Sequence, residues 1–282
     1  MTRARDVANS TTALSVDGTV KLDGNYPVGT GNVALGNTAL DSVEAGGTYN
    51  VAIGDAAGTA ITTGDGNVGV GADALLLNSS GGYNTALGTS SVRNNTTGNY
   101  NVGLGQGALY SNTTASNNTA VGYQAGFANT TGGNITAVGR WALKANTTGN
   151  DNTAVGLNAL LSNTTGGSNI AVGQQALNNN TTASNNTAVG YQAGYATTTS
   201  PYNTFIGGIA GQNTTGSRNT FLGYNSGRDI TSGSENTILG RFVGNQGGLD
   251  IRTSSNNIVL SDGNGNPRVH VGSDGHVGIG TN

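Results

Sequence analysis

The chain has 282 residues, of which 49 are Gly, 9% are charged and none is Cys. Such a composition excludes an ordinary globular core, disulfide bonds and thiolate metal sites. A net charge of −3, scattered Lys and Arg residues and the lack of a long apolar segment argue against nucleic-acid binding and membrane insertion.

The first element is the N-terminal region, residues 1–31, which lacks the repeat described below. Residues 14–22 alternate apolar and polar side chains around Asp17-Gly18, which predicts a β-hairpin. Because solenoids need terminal caps, we expect this region to be a cap or an attachment segment. Its start is basic but has no apolar core, so we expect no export signal there.

The central element is a repeat that contains the motif Asn-Thr-Ala-Val-Gly. The step between motif glycines is 17 residues, apart from one step of 18 and one of 16. A period of this size indicates stacked supersecondary units. The motif Gly occurs in thirteen copies, at Gly36, Gly54, Gly71, Gly88, Gly105, Gly122, Gly139, Gly156, Gly173, Gly190, Gly207, Gly223 and Gly240.

Residues 152–168 form the clearest copy of the repeat. A helix does not fit between the motif Gly and the Thr-Thr-Gly turn, whereas two short extended stretches joined by turns do fit. A second small residue follows the motif Gly by three positions, from Ala39 to Ser226, and we assign it to a second strand or a corner. The fold class is therefore all-β: a parallel β-solenoid or β-roll of 13 turns over residues 32–246, about 60 Å long.

The motif strand is restricted on both of its faces. The Val position always holds a branched aliphatic residue, and the preceding position is Ala or Gly through ten turns. A strand restricted on both faces is expected to be buried on both, which predicts packing against symmetry copies in a homotrimer. The candidates for core and trimer packing are Ala120, Val121, Val138, Ala154, Val155, Val172, Ala188, Val189, Phe205 and Phe221.

Asn residues recur at two places in the repeat. The first Asn of the motif is expected to stack into a ladder in which each amide satisfies its neighbour, with Ile135 as an interruption. The Asn-Thr-Thr triplets are expected to stack along an outer edge as turn residues. The ladder is predicted most clearly for Asn101, Asn118, Asn152, Asn169 and Asn186.

Aromatic residues occupy variable positions after the motif, among them Tyr110 and Phe127. They could stack on sugar rings or pack between neighbouring protomers. The candidates for surface contact are Tyr123, Trp141, Tyr191 and Tyr195. We find no pattern of catalytic residues and expect neither an enzyme nor a cofactor.

The last element is the C-terminal tail, residues 247–282, where the period fails. Residues 258–260, 268–271 and 277–279 alternate as short strands around Asp-Gly and Gly-Asn turns, which predicts a separate small β element. His270 and His276 lie in this tail, and they are weak metal candidates if copies meet on a threefold axis.

The repeats NNTAVGYQAG, NTAVGLNAL and NTALGTSS resemble the head repeats of YadA-type trimeric adhesins, whose period is usually somewhat shorter. That resemblance implies a left-handed parallel β-roll in a homotrimer. The flanks RARDVAN, VKLDGNYPVGTGNVALG and NIVLSDGNGNPRVHVGSDGHVGIGT resemble bacteriophage tail-fibre and spike proteins. In that group a C-terminal intramolecular chaperone follows the last segment, so we expect a processed or shortened end.

The resemblance implies a trimeric virion fibre that binds a host-surface glycan or protein receptor and joins other tail or fibre proteins at one end. A bacterial trimeric adhesin or an extracellular fibril subunit at the cell surface is the first alternative. A depolymerase spike is the second, but the regular turns contain few of the paired carboxylates that glycosidases use. The absence of an export signal favours the virion.

Overall fold

The computed structural model describes residues 20–21, 29–44 and 46–280. The hairpin predicted around Asp17-Gly18 lies outside the described residues, except for two residues of its second half, which form strand β1, Val20–Lys21. Strand β1 pairs antiparallel with the first strand of the repeat, so the N-terminal end of the sheet is covered by one short strand.

The repeat forms one three-residue strand in each turn, and neighbouring strands pair in parallel without a register shift. Thr153, for example, lies beside Ile170, and Val155 lies beside Val172. The predicted all-β parallel solenoid of 13 turns is therefore confirmed. The strands are β2 Val33–Leu35, β3 Val51–Ile53, β4 Val68–Val70, β5 Thr85–Leu87, β6 Val102–Leu104, β7 Thr119–Val121, β8 Thr136–Val138, β9 Thr153–Val155, β10 Ile170–Val172, β11 Thr187–Val189, β12 Thr204–Ile206, β13 Thr220–Leu222 and β14 Thr237–Leu239.

The Gly that ends each strand occupies a conformation open only to Gly. In the reference copy, residues 152–168, which we number as positions 1–17, Gly156 at position 5 has a φ of 133°. A Cβ atom added there would lie 2.6 Å from the carbonyl oxygen of Gly173 in the next turn. The recurrence of Gly at this position therefore follows from both backbone conformation and the close approach of successive turns.

Of the two alternatives for the second small residue, a strand or a corner, the structure shows the corner, and the repeat has no second strand within the described residues. Ala159, at position 8, lies in a turn between Asn158 and Leu160, whose φ values are 58° and 50°. These left-handed residues bend the chain and prevent an extended segment. The backbone N–H of Leu160 still donates to the carbonyl of Ala176 in the next turn at 3.0 Å, so the corners stack through hydrogen bonds as the strands do.

The solenoid interior is filled from the strand on one side and from the corner on the other. Ala154 of β9, Ala159 and Leu160 are fully buried. The gap is narrow: a Cβ atom added to Gly103 in β6 would lie 2.6 Å from Cγ2 of Val92. The small residues at the strand centre are therefore explained by packing within one chain.

Within the single chain only one face of the strand is buried, and burial of the other face by symmetry copies stays a prediction. In β9 only the central residue is buried, whereas Thr153 and Val155 are partly exposed. Because side chains alternate along a strand, the Ala that points inward places its two neighbours on the outside. The small-residue face lines the interior of the solenoid and is not available to a second copy.

The tail begins as a further rung of the solenoid. Strand β17, Ile258–Ser261, pairs in parallel with β14, after a longer turn that contains a hairpin of β15, Asn245–Gln246, and β16, Leu249–Asp250. Strands β18, Pro267–Val271, and β19, Val277–Ile279, then continue the sheet antiparallel. The three tail strands predicted from sequence are present, but the first of them belongs to the stack and is not part of a separate element.

Candidate functional site

The predicted Asn ladder at position 1 runs through the interior. Asn169 donates from its backbone N–H and from Nδ2 to Oδ1 of Asn152, at 3.0 and 3.1 Å. Its Nδ2 also donates to the carbonyl of Ala183 at 2.8 Å. The other four predicted members are likewise fully buried and hydrogen-bonded to neighbouring turns, namely Asn101, Asn118, Asn152 and Asn186. These contacts satisfy buried polar groups, and they make the ladder structural.

A second Asn ladder lies at position 12, where the sequence indicated only an outer edge. Asn163 is fully buried, and its Nδ2 donates to Oδ1 of Asn146 at 2.8 Å and to the carbonyl of Gly166 at 2.9 Å. Of the triplet that begins at Asn163, Thr164 is partly exposed and Thr165 is exposed. The regular Asn-Thr-Thr spacing was the available signal, but the first residue of the six triplets from Asn95 to Asn180 faces the interior. In the late copy Asn213 is exposed, and Thr214 is buried instead.

The outward side of the solenoid presents a continuous uncharged face, which we call the outer β face. It consists of the first and third residues of strands β2–β14 and the equivalent residues Ile258 and Leu260 of β17. These are Thr, Val, Ile or Leu in every rung. Several remain more than one third exposed, for example Ile206 at 38% and Leu222 at 46%.

The residues proposed for core and trimer packing separate onto the two sides of the strand. The Ala and Phe candidates, Ala120, Ala154, Ala188, Phe205 and Phe221, are fully buried in the interior. The five Val candidates lie on the outer β face, where Val189 is 37% exposed and the others are partly exposed; they are Val121, Val138, Val155, Val172 and Val189. Only the Val set can contact another protomer.

The predicted surface aromatics Tyr123 and Trp141 form a cluster at the corner that follows the strand. Their ring centroids are 6.4 Å apart, with an interplanar angle of 52°. Nε1 of Trp141 donates to Oε1 of Gln124 at 3.2 Å. The guanidinium carbon of Arg140 lies 3.9 Å from the Trp141 ring centroid, and Nζ of Lys144 lies 5.0 Å from it.

The two cations of this cluster could not be assigned from the sequence, because Arg140 and Lys144 are separated by three residues and show no binding motif. The turn that bends at Trp141, with a φ of 62°, brings both of them over one ring. We call this group, Tyr123, Gln124, Arg140, Trp141 and Lys144, the Trp141 corner.

Other aromatic side chains stack along the solenoid. Tyr110 and Phe127 are stacked with centroids 4.9 Å apart, and Arg93 lies over Tyr110 at 5.6 Å. Tyr83 and Tyr100 stack at 5.3 Å on a different corner, and each is 58% exposed. Stacking follows from the fixed register, which places equivalent positions of successive turns directly above one another.

The other predicted contact residues, Tyr191 and Tyr195, do not join the Trp141 corner. Tyr191 occupies the same repeat position as Tyr123 but four turns later, which corresponds to about 19 Å along the solenoid. Tyr191 is 51% exposed and Tyr195 is partly exposed. The four predicted aromatics therefore form one pair and two separate side chains.

The tail places His270 and His276 around an open pocket that Asp274 also lines. Nε2 of His270 lies 3.1 Å from Oδ1 of Asn257, and Nδ1 of His276 lies 2.8 Å from Oδ2 of Asp274. The backbone N–H of His276 donates to Asp274 and lowers the pKa of that carboxyl. Within the described residues, no group of three or more His, Asp or Glu side chains lies close enough together to hold a metal ion. The expectation that copies of His270 and His276 meet on a threefold axis stays a prediction.

Comparisons with known proteins do not identify a family for this chain. No family model, curated protein or solved structure matches the chain. Among the residues that the structure describes, none belongs to a helix with the length and hydropathy needed to cross a membrane. The outer β face and the Trp141 corner are therefore the two surfaces from which a function can be argued.

Proposed function

We propose that the chain is the shaft of a homotrimeric bacteriophage tail fibre that attaches the virion to a host surface. The observation that carries this proposal is the outer β face. It continues through every rung of the parallel sheet and contains no charged residue. A continuous exposed surface of this kind is typical of a protein–protein interface.

The dimensions of the outer β face suit association with copies of itself. Fourteen rungs give a length of about 65 Å, and a three-residue strand gives a width of about 10 Å, so the face covers about 650 Å². One partner in a stable protein–protein interface buries about 800 Å². Because the solenoid presents the same kind of residue in each rung, three copies can align their faces along a common axis.

A trimeric shaft would attach through repetition of weak contacts. Each surface site on the solenoid occurs three times, so a receptor array on a host surface can engage several copies at once. The parallel sheet connects every turn to the next, and the two Asn ladders add side-chain bonds between many of the turns, which favours a stiff rod over a flexible chain. Stiffness and repeated sites are the properties that an attachment fibre requires.

The same face could instead be considered an ice-binding surface if the chain were monomeric. Ice binding requires a flat and uniform array, whereas the third residue of the strand is Val in β7–β11 and changes among Val, Ile and Leu in the other rungs. The side chains therefore differ in shape along the full length of the face. This irregularity favours packing between protomers, where complementary copies can accommodate it.

The native mass of the purified chain tests the proposal. We expect light scattering to give three times the chain mass of 27.9 kDa. The double variant V155D/V172D places two charges on the outer β face and is expected to be monomeric, because burying unpaired carboxylates at an interface is unfavourable. Thr148→Asp, at an exposed position outside that face, is the control and should remain trimeric. A wild-type monomer would contradict the proposal.

A further inference from the structure

We propose that the Trp141 corner is a binding site for an anionic saccharide, in which Arg140 and Lys144 bind a carboxylate, sulfate or phosphate group and Tyr123 contacts the sugar ring. The inference rests on the proposed attachment function, because it names the chemical class of the receptor.

Among the residues that the structure describes, no carboxylate neutralises the charges at the corner. Between Asp73 and Asp229 the sequence contains one acidic residue, Asp151, which accepts a hydrogen bond from Asn134 at 3.1 Å. Within the described residues, neither Arg140 nor Lys144 forms an ion pair. Most other arginines of the described chain do, with a carboxylate at 3.3 Å or less: Arg93, Arg218, Arg228, Arg252 and Arg268.

The Arg140 guanidinium is held in a way that leaves its donors free. It lies over the Trp141 ring at 3.9 Å, a contact that uses the delocalised face of the cation. Within the described residues the Arg140 guanidinium forms no hydrogen bond, and the N–H groups of a guanidinium match the two oxygens of a carboxylate, sulfate or phosphate. Lys144 supplies a second positive charge over the same ring.

The Trp141 ring is itself fixed in place. Its Nε1 donates to Gln124 in the preceding turn, and the Tyr123 ring lies against it at 6.4 Å. Trp141 and Lys144 are partly buried, so the corner is organised before a ligand arrives. A site that needs no ordering on binding loses less affinity to conformational entropy.

A sugar is favoured over other anions because an exposed aromatic ring adjoins the cations. Tyr123 is 41% exposed, and its ring offers an apolar face with a polar hydroxyl at its end. A saccharide presents C–H groups for such a face and hydroxyl groups for Gln124. The corner has two free cations and the whole chain is acidic, so it lacks the extended basic surface that nucleic acids require.

The test measures binding of dextran sulfate and neutral dextran to the immobilised full-length chain by biolayer interferometry. We expect dextran sulfate to bind and dextran not to bind, with affinity falling as NaCl concentration rises. The variant R140Q/K144Q should lose about tenfold or more in affinity, because it removes two charge-assisted contacts. Arg140→Lys keeps the charge without the planar fork and should lose about threefold.

The control is Arg218→Gln, which removes an exposed arginine that is paired with Glu235 at 3.2 Å. It should bind dextran sulfate within about twofold of the wild type, because it lies outside the corner. Trp141→Ala should weaken binding about fivefold by releasing both cations. If Trp141→Ala does not fold, the two surface variants R140Q/K144Q and Arg140→Lys still decide the question.

Three results would overturn the inference. They are no binding of dextran sulfate, equal binding of dextran sulfate to the wild type and to R140Q/K144Q, and equal affinity for a single-stranded oligonucleotide of matched charge. These results are separate from the native mass. A monomer that binds dextran sulfate through the corner would contradict the fibre and support the binding site. A trimer that does not bind dextran sulfate would support the fibre and contradict the binding site.

Discussion

Two regions of the solenoid fill the same interior in different ways. In the Leu turns, residues 135–185, the strand centre is Ala and a buried Leu enters from the corner at position 9, as Leu160 does. In the Phe turns, residues 203–235, the strand centre is Phe205 or Phe221 and position 9 is Gly. The rings of these two Phe residues are 5.5 Å apart.

In both regions a large side chain fills the interior. It comes from the corner in the Leu turns and from the strand centre in the Phe turns. Gly211 faces Phe205, and a Cβ atom added to Gly211 would lie 2.5 Å from that ring. Gly227 opposes Phe221 in the same way. In the Phe turns position 9 is therefore coupled to the strand centre, although the turns of Ala52, Ala120 and Ala188 also combine Ala with Gly at position 9. The backbone accommodates Leu or Gly there because both Leu160 and Gly227 adopt a positive φ, of 50° and 60°.

The boundary between the two regions carries a local defect in hydrogen bonding. The second Asn ladder ends at Asn180, whose Oδ1 has no protein partner, because Thr197 replaces Asn in the next turn. Nδ2 of Asn186 in that next turn is also without a protein partner. Unpaired buried polar atoms are costly, so we expect the junction to be the least stable part of the stack.

Breaking the Phe turns should have the largest effect. Phe221→Ala is expected to lower the free energy of unfolding by about 3–5 kcal/mol, because no Leu at position 9 fills the cavity. The double variant F221A/G227L converts this turn to the Leu type and should recover at least half of the loss. Urea denaturation at fixed protein concentration measures both. A double variant no better than Phe221→Ala would refute the coupling.

Breaking the Leu turns should have a somewhat smaller effect. Leu160→Ala is expected to lower the free energy of unfolding by about 2–4 kcal/mol. The loss is smaller than for Phe221→Ala because Leu is a smaller side chain than Phe. The neighbouring Leu161 is only partly buried, so Leu161→Ala should cost about 1 kcal/mol or less. Equal losses in the two variants, measured by the same urea titration, would show that position 9 does not fill the core.

The first Asn ladder should contribute less than either type of core residue. Asn152→Ala removes the acceptor of two bonds from Asn169 and the donor to Gly166, so we expect a loss of about 1–3 kcal/mol. The control is Asn179→Ala, because Asn179 is partly exposed. It should change the free energy of unfolding by no more than about 0.5 kcal/mol. Thermal unfolding followed by circular dichroism separates the two outcomes, and identical melting temperatures would contradict a stabilising ladder.

Repairing the junction should produce the smallest effect and the opposite sign. Thr197→Asn continues the second ladder and supplies a donor to Oδ1 of Asn180, so we expect a gain of about 0.5–1.5 kcal/mol. Thr199→Asn, at an exposed site in the same turn, should change stability by less than about 0.5 kcal/mol. A loss of stability in Thr197→Asn would mean that the interior there has no room for the amide.

The sequence predicts the stack well because the repeat itself specifies it. The motif Gly, the motif strand and the position 1 ladder follow from the 17-residue period and alternation, and the structure confirms each of them. The period does not reveal which strand face is inward. Ala154 and Val155 are both restricted residues, and only the opposing corner, with Leu160 at a positive φ, decides between them.

The candidate sites are less predictable than the fold. Tyr123 and Trp141 were identified as exposed aromatics, but their association with Arg140 and Lys144 depends on a left-handed corner that no local pattern indicates. The Asn of each Asn-Thr-Thr triplet was expected at an edge because turn residues usually lie on the surface. In the six triplets from Asn95 to Asn180 it is buried because this turn closes the interior, whereas Asn213 is exposed.

The outer β face can be tested most directly with single cysteines, because the chain contains none of its own. The measurement is the rate at which a maleimide labels the native protein carrying Val155→Cys, on the outer β face, or Thr165→Cys, at an exposed corner. If protomers pack through the outer β face, the cysteine at position 155 is protected and the one at position 165 is labelled rapidly. Equal labelling rates at the two positions would contradict the account.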